Sequence, residues 1–441
     1  MRLATLRSSL RVVGLVLIGS TWIHAQEGPP EAALEFYAVE PALKAYVNEA
    51  LERNPSIHAA RARHRSALER VPQVTALPDP VVSFGQAIRS AETRVGPQRQ
   101  TVSLSQAVPW FGKLDLRGQM AVREATATYQ LYVARQREVI ARVKGAVYNL
   151  AYIDTAISIS REEQTVLEHY EQLAQTRYAT GQGLQQAVIK TQAEITKVVD
   201  RLQVLNQQRV TLAAGLNTLM ARPPQNGIPL IGRLELPSTP LDLGALYELG
   251  NRNRQELQAA RELIGRSERS IELAKKDFWP DLQVSAGLVN VGGRNDLTGA
   301  AVAPPDDGKN TLNLSIGLTI PIWRDKYHAG VRQAAETLVT DRHNLDNLRD
   351  DMEFAIRDQV IRLQTLQEQV NLFDQVLLPQ AREALGSTEA AYQTGQVGIL
   401  DLLDAERVLL DVRLMHERHN ADYLVALANL ERAVGTKFPV D

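Results

Sequence analysis

Cysteine is absent from all 441 residues. That excludes disulfides, thiolate metal sites and thiol nucleophiles together, and with them the N-terminal cysteine that carries a lipid anchor on envelope proteins. Aromatic residues make up only 5% of the chain. Ala, Leu, Arg, Glu and Gln fill long stretches instead, a composition of extended helices rather than of a compact enzyme. Charge of one sign is lacking too: the formal balance is -2, with no electrostatic footprint for nucleic acid. Beyond the first residues nothing approaches the roughly 18 uninterrupted apolar residues of a membrane-spanning helix.

The first residues have a different character. Arg2, Arg7 and Arg11 precede an apolar run from Val12 to Ile18, then Gly19-Ser20 and a small residue, Ala25. A charged start, a short apolar centre and a small residue at the cut predict a secretory signal peptide over 1–25. An exported chain without an apolar helix is either soluble in the envelope or inserted as a β-barrel.

The chain repeats itself. Tyr178-Ala-Thr-Gly181-Gln182 returns as Tyr392-Gln-Thr-Gly395-Gln396, and Leu77-Pro78-Asp79 as Trp279-Pro280-Asp281. Val108-Pro109-Trp110-Phe111 is paralleled by Ile320-Pro321-Ile322-Trp323. Ile57, Ala59, Ala60 and Arg61 match Leu257, Ala259, Ala260 and Arg261. The expected organisation is an N-terminal segment over 26–40, a first repeat over 41–222, a proline-rich linker over 223–241, a second repeat over 242–435 and a tail over 436–441. Each repeat reads helix, strand, strand, helix, helix.

Apolar residues recur at three- and four-residue steps through Ile140, Val143, Val147, Leu150, Ile153 and Ile157, and through Met352, Ile356, Val360 and Leu363. Such spacing makes a coiled-coil seam. The stretch from Gly112 to Tyr178 predicts one helix of roughly 100 Å at 1.5 Å per residue. Pro379 is expected to kink the corresponding second helix. Gly181 and Gly395 can take the left-handed backbone of a helix end, so the chain turns there, with Gly183 and Gly398 in the same two turns.

Strands are expected near 80–88, 100–108, 282–289 and 312–320. Leu312-Asn-Leu314-Ser-Ile316-Gly-Leu318-Thr-Ile320 alternates fully, with one apolar face and one small and polar. About nine residues suit a tilted membrane strand, although a half-buried sheet has the same period. Trp110, Phe111, Trp279 and Trp323 stand where strands meet helices. That is the height of a membrane-interface girdle, or else of local packing at a strand end. Four strands cannot close a barrel, and open edges are not tolerated in lipid, so several chains must share one. Three copies give twelve strands, enough to leave a channel.

With these residues assembled, the chain resembles the TolC-like family of outer-membrane efflux proteins. The resemblance rests on Ala50-Leu51-Glu-Arg-Asn54-Pro55, Leu77-Pro78-Asp79-Pro80, Ser105-Gln106-Ala-Val-Pro109-Trp-Phe-Gly112-Lys113, the doubled Tyr-x-Thr-Gly-Gln, and Leu400-Asp401-Leu-Leu403-Asp404-Ala405-Glu406. It implies a mainly α fold with a membrane β-barrel portion: a homotrimer with a twelve-stranded barrel in outer-membrane lipid and a twelve-helix periplasmic tunnel. It implies docking onto a periplasmic adaptor and an inner-membrane pump, with the RND type favoured. No cofactor, catalytic residue or metal site is expected. By position, Asp401 and Asp404 resemble the acids that ring the periplasmic aperture, and Tyr392 keeps its place there; acids near a helix start also suit the helix dipole. Other members hold the closed tip with an acid on the first turn and a base on the second, where this chain has Ala187 and Val397. Val108 to Lys113 and Gly181-Gln-Gly183-Leu-Gln-Gln186 resemble the branch paired with heavy-metal pumps.

Two other classes compete. For an enzyme, His416-Glu417-Arg418-His419 is the one histidine pair at ligand-like helical spacing, but it differs from His-Glu-x-x-His and reads as a solvated helix face. Gly292-Gly293-Arg294, with Asp296 and Asp306-Asp307, reads as a polar outward loop and not a phosphate cradle. A soluble periplasmic coiled-coil adaptor or adhesin would also carry long hairpins, but not strands embedded twice between helices.

Overall fold

The computed structural model describes residues 41–232, 236–237, 241–294 and 304–437. The expected leader and N-terminal segment, two short pieces of the linker, Asp296 and the last four residues lie outside them. In the first copy the elements are α1 (Pro41–Arg53), α2 (Pro55–Thr75), β1 (Val81–Gln86), β2 (Gln98–Val108), α3 (Lys113–Ala179) and α4 (Gln185–Leu219). In the second they are α5 (Leu243–Asn253), α6 (Gln255–Lys276), β3 (Asp281–Val291), β4 (Thr311–Thr319), α7 (Arg324–Leu372), α8 (Leu378–Gln393) and α9 (Ile399–Val434), with a π turn (Phe373–Leu377) between α7 and α8.

Where one helix was expected before each strand pair there are two, broken at equivalent positions. Asn54 has φ −63° and ψ 122°, and Arg254 has φ −65° and ψ 119°. The first break is encoded locally: the Asn54 side chain accepts the Ser56 N–H at 2.9 Å, and Pro55 opens the next helix. Asn54 also donates to the Leu219 carbonyl at 2.8 Å, tying the break to the end of α4. Arg254 makes no side-chain cap. There the end of α9 presses in, and a Cβ on Gly435 would lie 2.7 Å from the Arg254 Cα. Local capping makes one break and tertiary packing accompanies the other.

The 67 residues of α3 form one uninterrupted helix, about 100 Å long. It packs in turn on α2, α6, α4 and α9. Ile140, Val143, Val147, Leu150, Ile153 and Ile157 are all buried along its seam, and each contributes about 1.5–3 kcal/mol by leaving water. Met352, Ile356, Val360, Leu363 and Val370 are buried in the same way along α7, which packs on α5, α6 and α9. Pro379 lies in the first turn of α8, where its ring would crowd the carbonyl four residues earlier. That carbonyl belongs to Gln375, inside the π turn, and the widened turn accommodates the proline without ending the helical path.

One antiparallel sheet has the order β1-β2-β3-β4. Its central pair, β2 with β3, joins the two copies from Val108 opposite Leu282 to Gln98 opposite Val291. The first strand is shorter than expected: it spans Val81–Gln86, and Ile88 stands outside it. β1 and β4 are the two edges.

Candidate functional site

Residues paired across antiparallel strands share a face, so the register assigns the faces of the whole sheet. Phe84, Val102, Leu288 and Leu312 make one row; Val82, Leu104, Ala286 and Leu314 the next. Val284 with Ile316, and Val108 with Leu282 and Leu318, extend it. Gln106 falls on this face and is satisfied at its end, donating to the Pro78 carbonyl at 2.7 Å. The opposite face holds Ser83, Ser103, Gly287 and Asn313, then Ser105, Ser285 and Ser315. The hydroxyls of Ser285 and Ser315 are 2.8 Å apart. The apolar face is bare, with Leu312, Leu314 and Ile316 exposed by 70% or more. At about 25 cal/mol per Å² such a face is costly in water and suited to lipid. Its strands measure nine to eleven residues apart from β1.

At the base of the sheet the two copies are bolted together. The rings of Trp110 and Trp279 stack with centroids 5.3 Å apart, and Phe111 meets Trp110 edge-on at 5.7 Å. Phe111, Trp279 and Trp323 are exposed. Beneath the stack Asp281 accepts the Trp110 N–H at 2.7 Å and the buried Lys113 ammonium at 2.9 Å. Lys113 also lies 3.4 Å from Asp277. One carboxylate at the start of β3 thereby fixes the turn from β2 into α3.

The far turns are near copies of each other. Gly181 and Gly395 take φ of 74° and 75°, which L side chains avoid. Gln182 N–H reaches the Arg177 carbonyl and Gln396 N–H the Ala391 carbonyl, each at 2.9 Å; both are Schellman closures. A side chain on Gly183 would be crowded, since its Cβ would lie 3.1 Å from that of Arg177. Gly398 is extended, and its N–H donates to Asp401 at 3.0 Å. Asp401 therefore caps α9, and Asp404, one turn on, pairs with Arg407 at 2.7 Å; both aspartates are exposed.

Tyr392 is buried among Leu167, Tyr170, Val198, Ile399 and Leu402. Ala187 and Val397 pack on the same cluster. At these two positions, where other members carry an acid and a base, the turns meet through apolar contact. An ionic element does exist, but elsewhere: the Arg177 guanidinium lies 4.1 Å over the Tyr392 ring and donates to the Tyr392 carbonyl at 2.9 Å.

Arg177 was not legible as a site residue, because it lies outside the doubled Tyr-x-Thr-Gly-Gln motif and its partner is remote in sequence. Glu163 and Glu406 were also missed, although each is an acid at a buried seam position, and that irregularity was readable. One expectation is corrected. His416 is not on a solvated face: it is 3% exposed, with Nε2 3.0 Å from Asp374 in the π turn. Its neighbour His419 packs edge-on against Phe373, ring centroids 5.1 Å apart. His416 lies on the inner side of α9 against the π turn, and packing across α9 and that turn, not the local spacing of the two histidines, buries it. In the loop that follows β3, the Arg294 N–H donates to Asp307 at 3.0 Å.

The outer membrane efflux protein family model matches residues 46–222 and 246–436, one stretch in each copy. Outer membrane protein TolC of Vibrio cholerae is 22% identical over 415 residues, spanning 88% of this chain and 89% of the relative. The cobalt-zinc-cadmium resistance protein CzcC of Cupriavidus metallidurans is 20% identical over 399 residues, spanning 89% and 90%. Among solved structures, the outer-membrane channel OprN superposes with a TM-score of 0.76 at 17% identity, covering 90% of this chain and 91% of that one. The outer membrane protein VceC of Vibrio cholerae gives 0.73 at 20% identity, covering 90% and 96%. Long doubled hairpins, a four-stranded sheet with one apolar face, and a family match over both copies lead to one conclusion: the chain belongs to the outer membrane efflux protein family.

Proposed function

We propose that the chain is one of three identical subunits of a passive duct, conducting substrates from a periplasmic adaptor and an RND-type inner-membrane pump to the exterior. The observation that carries this reading is the sheet. Its apolar face is uncovered, its other face is mostly small and polar with Val81 and Val289 among the serines and threonines, and β1 and β4 end in open edges. In lipid an open edge leaves backbone groups without partners, so the edges pair with those of neighbouring copies. Twelve strands then close a barrel with the serine-rich face inward. The chain supplies no catalysis; energy comes from the pump.

Trp110, Phe111, Trp279 and Trp323 mark the periplasmic boundary of the membrane. The turns at Gly181, Gly183, Gly395 and Gly398 form the far tip of the tunnel. Asp401 and Asp404 face its aperture, with Tyr392 packed behind. The wording of Val108 to Lys113 and of Gly181 to Gln186 supports a heavy-metal cargo, as does the likeness to a relative named for cobalt-zinc-cadmium resistance. The test is extraction followed by sizing. The protein is expected to resist carbonate, to need detergent, and to sediment as a trimer. Release by carbonate alone would favour a soluble adaptor or adhesin, and a detergent-purified monomer would sink the shared barrel.

A further inference from the structure

The corner from β2 into α3 and the corner from β4 into α7 are copies of each other. Trp110-Phe-Gly-Lys113 returns as Trp323-Arg-Asp-Lys326. The first follows Val108-Pro109 directly; the second follows Ile320-Pro321 with one extra residue, Ile322. The backbone repeats as well. The Lys113 N–H donates to the Trp110 carbonyl at 3.0 Å, and the Lys326 N–H to the Trp323 carbonyl at 3.1 Å. Strand register is doubled in the same way: Val82 stands opposite Leu104 as Val284 stands opposite Ile316. Asp79 is thereby the counterpart of Asp281, and Leu77 of Trp279.

Only the first corner is completed within the chain. There Asp281 accepts the Trp110 N–H and the Lys113 ammonium, and Trp279 covers the Trp110 ring. The second corner lies at the open edge of β4. Among the described residues nothing accepts the Trp323 N–H, and no carboxylate pairs with Lys326. The Lys326 ammonium only overhangs the Tyr327 ring, at 5.5 Å. It borders a cavity together with Asp277 and Asp281, but both of those acids already take Lys113. The matching partners stand at the other open edge. Asp79, just before β1, is exposed and makes no hydrogen bond or ion pair among the described residues. Leu77 and Trp323 are exposed too.

We propose that a second copy of this chain completes the corner: Asp79 of the next copy accepts the Trp323 N–H and the Lys326 ammonium, and Leu77 of the next copy lies against the Trp323 ring. The proposal rests on the duct reading and adds a strand register to it. β4 runs antiparallel to β1 of the next copy as β2 runs to β3, where Val108 faces Leu282. Carried to the edge, that register sets Leu318 opposite Val82 of the next copy, and Ile316 opposite Phe84. Apolar residues then meet apolar residues across the seam, so one continuous face meets lipid. Alternation alone would equally allow a slip by one full strand period. The aspartate and the lysine admit a single register, which is the use of charge at an interface that fixes alignment.

The absence of cysteine permits a direct test in the full-length, detergent-purified protein. Asp79→Cys with Lys326→Cys, treated with a short bis-maleimide, should give covalent dimers and trimers on a denaturing gel. Val82→Cys with Leu318→Cys should oxidise to the same ladder. A ladder from Val82→Cys with Ile316→Cys in its place would mean a slipped register and overturn the proposal. Charge reversal is the second arm. Asp79→Lys and Lys326→Asp should each lower the temperature at which the trimer dissociates, and together they should restore it. Two losses that simply add would show that these residues do not meet. An unaltered protein that sizes as a monomer sinks the duct reading and this seam with it. A trimer without inter-chain product from Asp79→Cys with Lys326→Cys leaves the duct standing and rejects the seam alone.

Discussion

Arg177 near the end of α3 lies over the ring of Tyr392 near the end of α8, its guanidinium 4.1 Å from the ring centroid and 2.9 Å from the Tyr392 carbonyl oxygen. Beside the apolar cluster around Tyr392, this contact joins α3 to α8 next to the two turns, where Ala187 and Val397 leave no acid-base pair. A cation over an aromatic face is worth about 0.5–2 kcal/mol. Arg177→Ala is therefore expected to raise the resting conductance of the duct several-fold, with Arg177→Lys intermediate. Single-channel recording in planar bilayers checks it, and identical closed levels in all three proteins would remove Arg177 from the tip.

Asp401 and Asp404 divide their roles. Asp401→Ala removes a helix cap, which costs about 1 kcal/mol, whereas the exposed Asp404 holds only Arg407. If both face the aperture, the double substitution should reduce block of the channel by divalent cations by about an order of magnitude. Asp404→Ala alone should do so without loss of thermal stability. Unchanged block in the double variant would reject the assignment.

Ile316 occupies the middle of β4 on the apolar face, 70% exposed, opposite Val284. Ile316→Arg should impair insertion, since a charge at mid-membrane costs about 2–4 kcal/mol. Ser315→Arg, one position along on the other face, should be tolerated. Quantifying folded trimer in outer-membrane fractions separates the two, and equal yields would mean that this face does not meet lipid.

Burial raises the pKa of Glu163, with a consequence for stability. It ordinarily titrates near 4.5 and here near 9, so the folded chain binds a proton that the unfolded chain releases. This contribution is fully present below about 4.5 and is lost progressively as pH rises to about 9. Glu163→Gln should melt higher than the unaltered protein at pH near 9, with the gap closing toward pH near 5. Calorimetry in detergent across that range checks the slope; parallel curves would show that Glu163 ionises normally.

Much of this architecture could be read before any coordinates. The apolar steps from Ile140 to Ile157 and from Met352 to Leu363 were a seam in sequence and are buried in the fold. The alternation of Leu312 to Ile320 separated two faces because the strand period is two residues. The break at Asn54 was also local, since Asn followed by Pro caps and opens a helix. The matching break at Arg254 was not: no cap is written there, and the end of α9 lies against it. Nor was the burial of His416 readable, because a π turn near Pro379 decides which way that part of α7 and α8 faces.

The sequence by itself determined the doubled order of strand pairs and long helices, the length of α3, the two turns at Gly181 and Gly395, and the family. These depend on periodicity, capping and backbone preference, which act within a few residues. Only the tertiary structure decided what lies across from what. It set Trp110 on Trp279 and Arg177 over Tyr392. Those pairs are separated by well over a hundred positions, and their strength comes from ring stacking and from a cation over an aromatic face, which no local pattern encodes.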